Sequence, residues 1–91
     1  MEKIREHFTF YGRVQGVGFR YKMKYAAAQY KVTGRVSNEY DGTVTAELQG
    51  YDYEIDKVLQ YLVKDAYIRI DRMERRKIAI KENETGFSVR G

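Results

Sequence analysis

Two segments have apolar residues at helical spacing, and each is flanked by segments in which apolar and polar residues alternate. This arrangement constrains the fold of the chain more than any other feature. Apolar residues recur at three- and four-residue spacing in both, which places them on one side of a helix. Asp52 lies just before the second segment and is a candidate N-cap. Each helix needs an apolar surface to cover, so a sheet is expected beneath them. The two apolar sides are Phe19, Met23, Ala27 and Tyr30, and Ile55, Val58, Leu59, Leu62 and Val63.

Alternation of apolar and polar residues predicts the strands. In the first of them Phe8 and Phe10 share one face, and His7 lies on the other. Asp41-Gly42 predicts a tight hairpin turn, since both residues tolerate positive φ. Met73 falls out of phase with the isoleucines before and after it, and this slip predicts a β-bulge. The expected strands are residues 5–12, 32–37, 44–49, 68–80 and, after a turn at 83–86, 87–90.

The predicted element order is strand, helix, strand, strand, helix, strand, with a short strand appended. Two helices on one face of a mostly antiparallel sheet is the α+β solution known as the ferredoxin-like, or split βαβ, sandwich. The chain has 91 residues, without a linker or repeat, and we expect residues 1–91 to form a single domain. Many functions share this fold, so the function must be read from particular residues.

Composition excludes several classes of chemistry. The chain has no cysteine and one histidine, which argues against a disulfide framework and against a zinc site. No window resembles a membrane span, and the first residues are charged where a signal peptide would turn apolar, so a cytoplasmic location is expected. The net charge of +4 suits small anions better than it suits dedicated nucleic-acid binding.

The segment Gly12 to Arg20 carries the first candidate site. It joins the first strand to the first helix, where several backbone N–H groups and the positive end of the helix can face one anion. Gly16 and Gly18 permit close approach of the backbone to a ligand. Arg20 adds a planar charged group suited to phosphate oxygens. The segment lacks the third glycine of a dinucleotide fingerprint and the Gly-Lys-Ser/Thr of a Walker loop, so taken generically the signal is weak.

Two longer motifs make the interpretation specific. Val14-Gln15-Gly16-Val17-Gly18-Phe19-Arg20 resembles the first signature of the acylphosphatase family. Gly34-Arg35-Val36-Ser37-Asn38-Glu39-Tyr40-Asp41-Gly42-Thr43-Val44 resembles the second, with Gly50 closing it at the family's spacing. Arg35 and Ser37 depart from that pattern, because an aromatic or bulky apolar residue and a basic or amide residue are usual there. The resemblance spans nearly the whole chain.

The resemblance implies a role for each matched residue. Arg20 matches the arginine that binds the substrate phosphate, and Asn38 matches the asparagine that positions the attacking water. Thr43 matches a threonine that supports this asparagine, and Gly12 matches a glycine of the active-site wall. The implied phosphate-binding loop is Gln15, Gly16, Val17, Gly18, Phe19 and Arg20.

The expected activity is hydrolysis of the carboxyl–phosphate bond by direct in-line attack of water, without metal or cofactor. Phosphoryl transfer depends mainly on positioning and electrostatic stabilisation, and a carboxylate leaves without needing a proton donor, so no general acid is required. The expected partners are an acyl phosphate as substrate and inorganic phosphate as product and inhibitor. We expect a monomer that binds neither nucleic acid nor membrane.

Three alternatives remain. His7 could be catalytic, but it lies mid-strand outside both motifs, so a surface or structural role is expected. An RNA recognition module shares the element order, but the strand at 44–49 lacks the aromatic residues that stack on bases. The domain could also be a non-catalytic unit of a larger assembly, as in hydrogenase maturation proteins. The chain's end at Gly91 favours a free-standing enzyme.

Overall fold

A computed structural model of the protein describes residues 2–91. Five strands form one sheet in the order β4-β1-β3-β2-β5. The β1–β3, β1–β4 and β2–β3 pairs are antiparallel, and β2–β5 is parallel. Both helices cover the same face, which confirms the predicted ferredoxin-like class. The elements are β1 (Ile4–Arg13), α1 (Phe19–Gln29), β2 (Thr33–Asn38), β3 (Val44–Gly50), α2 (Asp52–Val63), β4 (Arg69–Ile78) and β5 (Phe87–Arg90).

The core lies between the helices and the sheet. Phe8 and Phe10 of β1 are fully buried there, and the ring of Phe10 lies 5.0 Å from that of Phe19 at the start of α1. Burial of one such side chain contributes about 1.5–3 kcal/mol, so these contacts fix how α1 sits on β1. The remaining fully or nearly fully buried apolar residues are Val14, Met23, Ala26, Ala27, Val32, Val36, Val44, Ala46, Leu48, Ile55, Val58, Leu59, Leu62 and Ile68.

The start of α2 differs from the sequence prediction. Asp52 is the first helical residue, and the N-cap is Tyr51, whose backbone is extended (φ −73°, ψ 150°). The prediction of Asp52 as N-cap was therefore wrong. The Tyr51 N–H donates to Glu54 Oε1 at 2.9 Å, as the acidic residue of a capping box does. Asp52 instead places its charge in the first helical turn, near the positive end of the helix.

The β2–β3 hairpin is tight, but only Gly42 has positive φ (92°). The Gly42 N–H donates to the Glu39 carbonyl at 3.2 Å, and the Glu39 N–H donates to the Thr43 carbonyl at 2.8 Å. The loop therefore contains three residues rather than two. Asp41 contributes through its carboxylate, which accepts from the backbone N–H and the hydroxyl of Thr43 at 3.0 and 2.7 Å.

The predicted bulge is present in β4. Tyr11 pairs with Arg72 and Gly12 pairs with Ile70, which leaves Asp71 as the extra residue. At Gly12 (φ 131°) a Cβ would lie 2.2 Å from the Arg69 carbonyl oxygen. The backbone approach at the bulge therefore requires glycine.

The face of the sheet opposite the helices, the open face, carries polar groups. Arg5 is only 3% exposed, and its guanidinium donates to Glu47 Oε1 at 2.8 Å, Glu84 Oε1 at 2.7 Å and Gln49 Oε1 at 3.1 Å. Burial alone would lower the pKa of Arg5, but the hydrogen bonds to Glu84 and Glu47 outweigh it and hold that pKa above its ordinary value. His7 lies on this face, where burial, reinforced by the charge of Arg76, lowers the pKa of its imidazole.

Candidate active site

The β1–α1 loop, residues 14–18, is held at both ends by buried side chains. Val14 and Phe19 are each 1% exposed, so the intervening loop must turn at the surface between them. Gly16 and Gly18 have φ of 74° and 79°, a left-handed conformation that other residues rarely adopt. Gly18 is the N-cap of α1, with no side-chain capping bond and no acidic residue in the first turn. The N–H groups of that turn are therefore free of side-chain acceptors and suit an anion.

The loop forms one wall of a cleft of about 90 Å³. Arg20 and Asn38, which come from α1 and from the end of β2, both line this cleft. This volume is well above the minimum of about 10–15 Å³ that one water molecule needs, so the cleft has room for a small ligand. The full lining is Val14, Gly16, Gly18, Phe19, Arg20, Tyr21 and Asn38.

Arg20 is fixed along one edge of its guanidinium. Its Nη1 donates to the carbonyl oxygens of Arg90 and Gly91 at 2.9 and 2.7 Å. These contacts tie the side chain to the end of β5 and limit its rotamers. The Nε and Nη2 atoms donate to no atom of residues 2–91. Because guanidinium donors form a rigid fork, the unused edge can bind two oxygens of one anion.

Asn38 carries an unpaired acceptor. Its Oδ1 is buried and accepts no hydrogen bond from the described part of the chain. A buried acceptor without a donor costs about 1–3 kcal/mol, and such groups are rare in folded proteins. A water molecule that donates to this oxygen would remove the cost. The unmet acceptor therefore belongs to a residue that lines the cleft.

The side chain of Gln15 connects the two halves of the cleft. Its Nε2 donates to the carbonyl oxygens of Glu39 and Thr43, both at 2.9 Å. These carbonyls belong to the hairpin that follows Asn38, so the β1–α1 loop is fixed relative to that residue. Both N–H donors of the Gln15 side chain are used in these bonds, so only its backbone N–H could serve an anion.

The other predicted residues have different positions. Thr43 is buried, but its hydroxyl bonds Asp41 and stabilises the hairpin turn, with no hydrogen bond to Asn38. Gly12 lies at the β4 bulge and is not part of the cleft lining. Val17 is half-buried and contributes its carbonyl, which accepts from the ammonium group of Lys22 at 3.0 Å.

Sequence reasoning missed three contributors to the site. Tyr21 lines the cleft with 66% of its surface exposed, and its place just after Arg20 was the only available signal. The carbonyls of residues 90 and 91 hold Arg20 across most of the chain length, a contact that no local pattern reveals. Lys22 lies one helical turn after Gly18, and that spacing is the only signal for its contact with the loop.

Metal-binding clusters and membrane-spanning helices bear on possible functions. Within residues 2–91 no cluster of three or more histidine, cysteine, aspartate or glutamate side chains could hold a metal ion. Over the same residues no helix is both long enough and apolar enough to cross a membrane.

Comparison with known proteins points to one family. The model of the acylphosphatase family matches residues 6–89. An acylphosphatase from Clostridium acetobutylicum is 38% identical over 79 residues, covering 86% of this chain and 87% of its own. The structure of acylphosphatase from Bacillus subtilis superposes with a TM-score of 0.85 at 25% identity, covering 94% of this chain and 97% of that one.

A larger protein also contains a similar fold. Full-length HypF, solved in a phosphate- and nucleotide-bound form, matches 99% of this chain with a TM-score of 0.87 at 26% identity, but the match covers only 12% of HypF. The two matches to acylphosphatases, by contrast, extend over most of both partners. From the family match, these relatives and the fold, it follows that the chain belongs to the acylphosphatase family and is an enzyme that hydrolyses acyl phosphates.

Proposed function

We propose that hydrolysis proceeds by direct in-line attack of water on phosphorus, with Arg20 holding the phosphoryl group, Asn38 orienting the water, and no metal ion. The observation that carries this proposal is that two residues with hydrogen-bonding groups unmet within residues 2–91 line one cleft of about 90 Å³. One of these groups is the free donor edge of Arg20, and the other is the buried Oδ1 of Asn38, which accepts nothing from residues 2–91. A phosphoryl oxygen and a water molecule satisfy the two groups respectively.

On the phosphate side, the substrate oxygens face the guanidinium of Arg20 and the backbone N–H groups of Gln15, Gly16, Val17, Gly18 and Phe19. The transition state of phosphoryl transfer is loose and spreads charge over the equatorial oxygens. Donors that are already fixed stabilise this charge without reorganising during the reaction. The two carbonyl contacts that hold Nη1 of Arg20 provide such fixation.

On the water side, the amide of Asn38 is too weak a base to remove a proton. Its role is orientation, because Oδ1 accepts one O–H of the water and aims the lone pair at phosphorus. The carboxylate of the substrate leaves without protonation, since the pKa of its conjugate acid is about 4–5. The reaction therefore needs neither a general acid nor His7, which lies on the open face of the sheet outside the cleft lining.

An acyl phosphatase assay tests this division of roles. Acetyl and benzoyl phosphate are hydrolysed in the presence of EDTA by the wild type, Arg20→Ala and Asn38→Ala, with inhibition by inorganic phosphate measured in parallel. We expect Arg20→Ala to lower turnover by about 10²–10³, the scale of one lost oxyanion donor, and to weaken phosphate inhibition. Asn38→Ala should lower turnover but leave phosphate inhibition intact.

Matched controls separate site effects from general effects. Arg76→Ala removes an exposed arginine on β4, and Gln60→Ala removes an exposed amide on α2; neither residue lines the cleft. Both controls should keep wild-type turnover. Sensitivity to EDTA, or equal loss of phosphate affinity in the Arg20 and Asn38 variants, would overturn the mechanism. Phosphate binding without any turnover in the wild type would favour a non-catalytic unit, such as a domain within a larger protein.

The partner and location expectations remain part of this proposal. We propose that residues 1–91 act as one monomeric domain in the cytoplasm, inhibited by the inorganic phosphate that they release, without a nucleic-acid or membrane partner. One core cluster joins both helices to the sheet, which supports a single domain. Sedimentation across a concentration series tests the monomer. A salt titration with single-stranded RNA tests the nucleic-acid alternative, since phosphate-backbone binding would weaken steeply with salt.

A further inference from the structure

The side chain of Lys22 runs back along the outside of the β1–α1 loop. Its Nζ donates to the carbonyl oxygen of Val17 at 3.0 Å and lies 2.9 Å from Asp65 Oδ2. Its Cε passes 3.4 Å from the position that a Cβ at Gly18 would occupy. A Cβ there would be in ordinary contact with the lysine, so Gly18 is favoured by its φ of 79° and not by space. Lys22 does not line the cleft itself.

Asp65 is fixed in turn, so the contact is more than a surface ion pair between two mobile side chains. Its Oδ1 accepts from the Tyr67 N–H at 2.8 Å, and the Lys22 ammonium lies 5.4 Å from the centroid of the Tyr67 ring. The side chains of Lys22 and Asp65 are 28% and 20% exposed. The hydrogen bond from Lys22, together with that from the Tyr67 backbone, holds the pKa of Asp65 below its ordinary value.

The carbonyl of Val17 controls a donor of the cleft. Val17 C=O and Gly18 N–H belong to one planar trans peptide and point in opposite directions. When Lys22 holds the carbonyl on the outside of the loop, the Gly18 N–H must point the other way, toward the cleft that Gly18 lines. With φ of 79° at Gly18, the peptide has little intrinsic resistance to rotation, since glycine populates both signs of φ. A rotated peptide would aim a carbonyl at the anion.

We propose that Lys22, anchored by Asp65, is a positioning residue that keeps the Gly18 N–H directed at the bound phosphoryl group. This inference rests on the proposed phosphate site and extends it to two residues outside both sequence motifs. Lys22 acts through the peptide it holds and does not touch the substrate. Asp65 comes from the segment between α2 and β4, so the second half of the chain contributes to the orientation of the first motif.

A purely electrostatic role for Lys22 makes the opposite prediction. If its charge simply attracted phosphate, Asp65→Asn would leave that charge uncompensated and would tighten phosphate binding. If Lys22 positions the peptide, Asp65→Asn releases its anchor and weakens phosphate binding. The sign of the Asp65→Asn effect therefore separates the two roles.

The experiment compares the wild type, Lys22→Met, Lys22→Arg, Asp65→Asn and the double variant that combines Lys22→Met with Asp65→Asn. Inorganic phosphate is titrated while the ¹⁵N–¹H signal of Gly18 is followed, and turnover of benzoyl phosphate is measured on the same samples. We expect Lys22→Met and Asp65→Asn each to weaken phosphate binding about 10-fold. The double variant should be no weaker than either single variant, as coupled residues behave. Lys22→Arg should keep binding within about 3-fold, because its guanidinium can donate to both acceptors.

Lys24→Met is the matched control, since Lys24 is exposed on the same helix and lies outside the cleft lining. It should leave the Gly18 response unchanged. Tighter binding in Asp65→Asn, or a normal Gly18 response in Lys22→Met, would overturn the positioning role. If Lys22→Met does not fold, the sign of the Asp65→Asn effect decides alone. Arg20→Ala in the same titration tests the phosphate site itself: if it binds phosphate normally, the proposed site fails, whatever Lys22 does.

Discussion

Polar groups at the cleft and on the open face of the sheet differ in whether they have hydrogen-bond partners within the protein. In the cleft, Asn38 Oδ1 is buried without a donor in residues 2–91, and the guanidinium of Arg20 is bonded along one edge only. On the open face, Arg5 is almost completely buried, and Glu47, Gln49 and Glu84 accept its hydrogen bonds. The paired polar groups fix the fold, and the unpaired ones belong to two residues that line the cleft. Substitutions on the open face should therefore lower stability, and substitutions at the cleft should lower turnover.

The largest effect is expected for Arg5→Met. Removing one partner of a buried ion pair costs about 3–5 kcal/mol, and we expect about 3 kcal/mol here because Glu47 and Glu84 are 24% and 11% exposed. For a domain of this size the loss corresponds to a fall in Tm of about 12–24 °C. Thermal unfolding measures it, with Arg76→Met as the exposed control. Turnover well below the Tm should stay at the wild-type level, and a loss of activity there would break the contrast between the two regions.

Asn38→Ala should show the reverse pattern. Oδ1 accepts nothing from the described residues, so its removal should lower the free energy of unfolding by less than about 1 kcal/mol, or should raise it. A rise is expected where a group that disfavours folding is retained for function. Turnover should fall about 10²-fold through loss of water orientation. Denaturant unfolding and an acyl phosphatase assay give both numbers, with Ser37→Ala as the neighbouring control. A strongly destabilised variant with intact turnover would mean that Asn38 stabilises the fold and does not serve the reaction.

Local patterns in the sequence were enough to predict most of the fold. Periodicity identified both helices and all five strands, and the phase slip at Met73 located a bulge that the structure places at Asp71. The prediction was wrong at the α2 N-cap and only partly correct at the hairpin. At both places, a carboxylate that bonds backbone N–H groups, from Glu54 or Asp41, sets the local geometry. Propensity rules that score one residue at a time do not detect such bonds.

The residues of the candidate site were predictable from the sequence, but the hydrogen bonds that hold them in place were not. The two motifs predicted that Arg20 and Asn38 would serve one anion, and the structure brings both to one cleft. Their supports join segments far apart in the chain: Gln15 reaches the β2–β3 hairpin, and Arg20 reaches residues 90 and 91. Such pairings depend on which strands become neighbours in the sheet, and no short window of sequence contains that information.

Acid should destabilise the fold in part through two carboxylates of the open face. Burial would raise the pKa of Glu84, but hydrogen bonds from Arg5 and Thr33 outweigh it and hold that pKa below its ordinary value. Burial would likewise raise the pKa of Glu47, but the hydrogen bond from Arg5 and the charge of Arg35 hold it below its ordinary value. A depressed carboxylate stabilises the fold above its unfolded pKa of about 4.3 and loses this contribution as pH falls through the folded pKa.

The matched substitution for this acid effect is Glu84→Gln. It should cost about 1–2 kcal/mol at pH 7 through the lost charged hydrogen bond, and it should flatten the fall of the free energy of unfolding with pH below about 5. Denaturant midpoints at a series of pH values measure both effects. Glu82→Gln, an exposed neighbour, is the control. A pH slope identical to that of the wild type would mean that Glu84 is not among the groups that bind protons on unfolding.

The smallest effect is expected at Arg35, where the sequence departs from the aromatic or bulky apolar residue usual in the family. Arg35 Nη2 lies 3.3 Å from Glu47 Oε2, and both side chains are about one quarter exposed, so the pair contributes at most about 0.5–1 kcal/mol. Arg35→Phe should therefore shift Tm by only a few degrees and leave turnover unchanged, because Arg35 lies outside the cleft lining. Glu47 keeps its hydrogen bonds from Arg5 in this variant. A loss of stability as large as that of Arg5→Met would mean that Arg35 belongs to the same buried network.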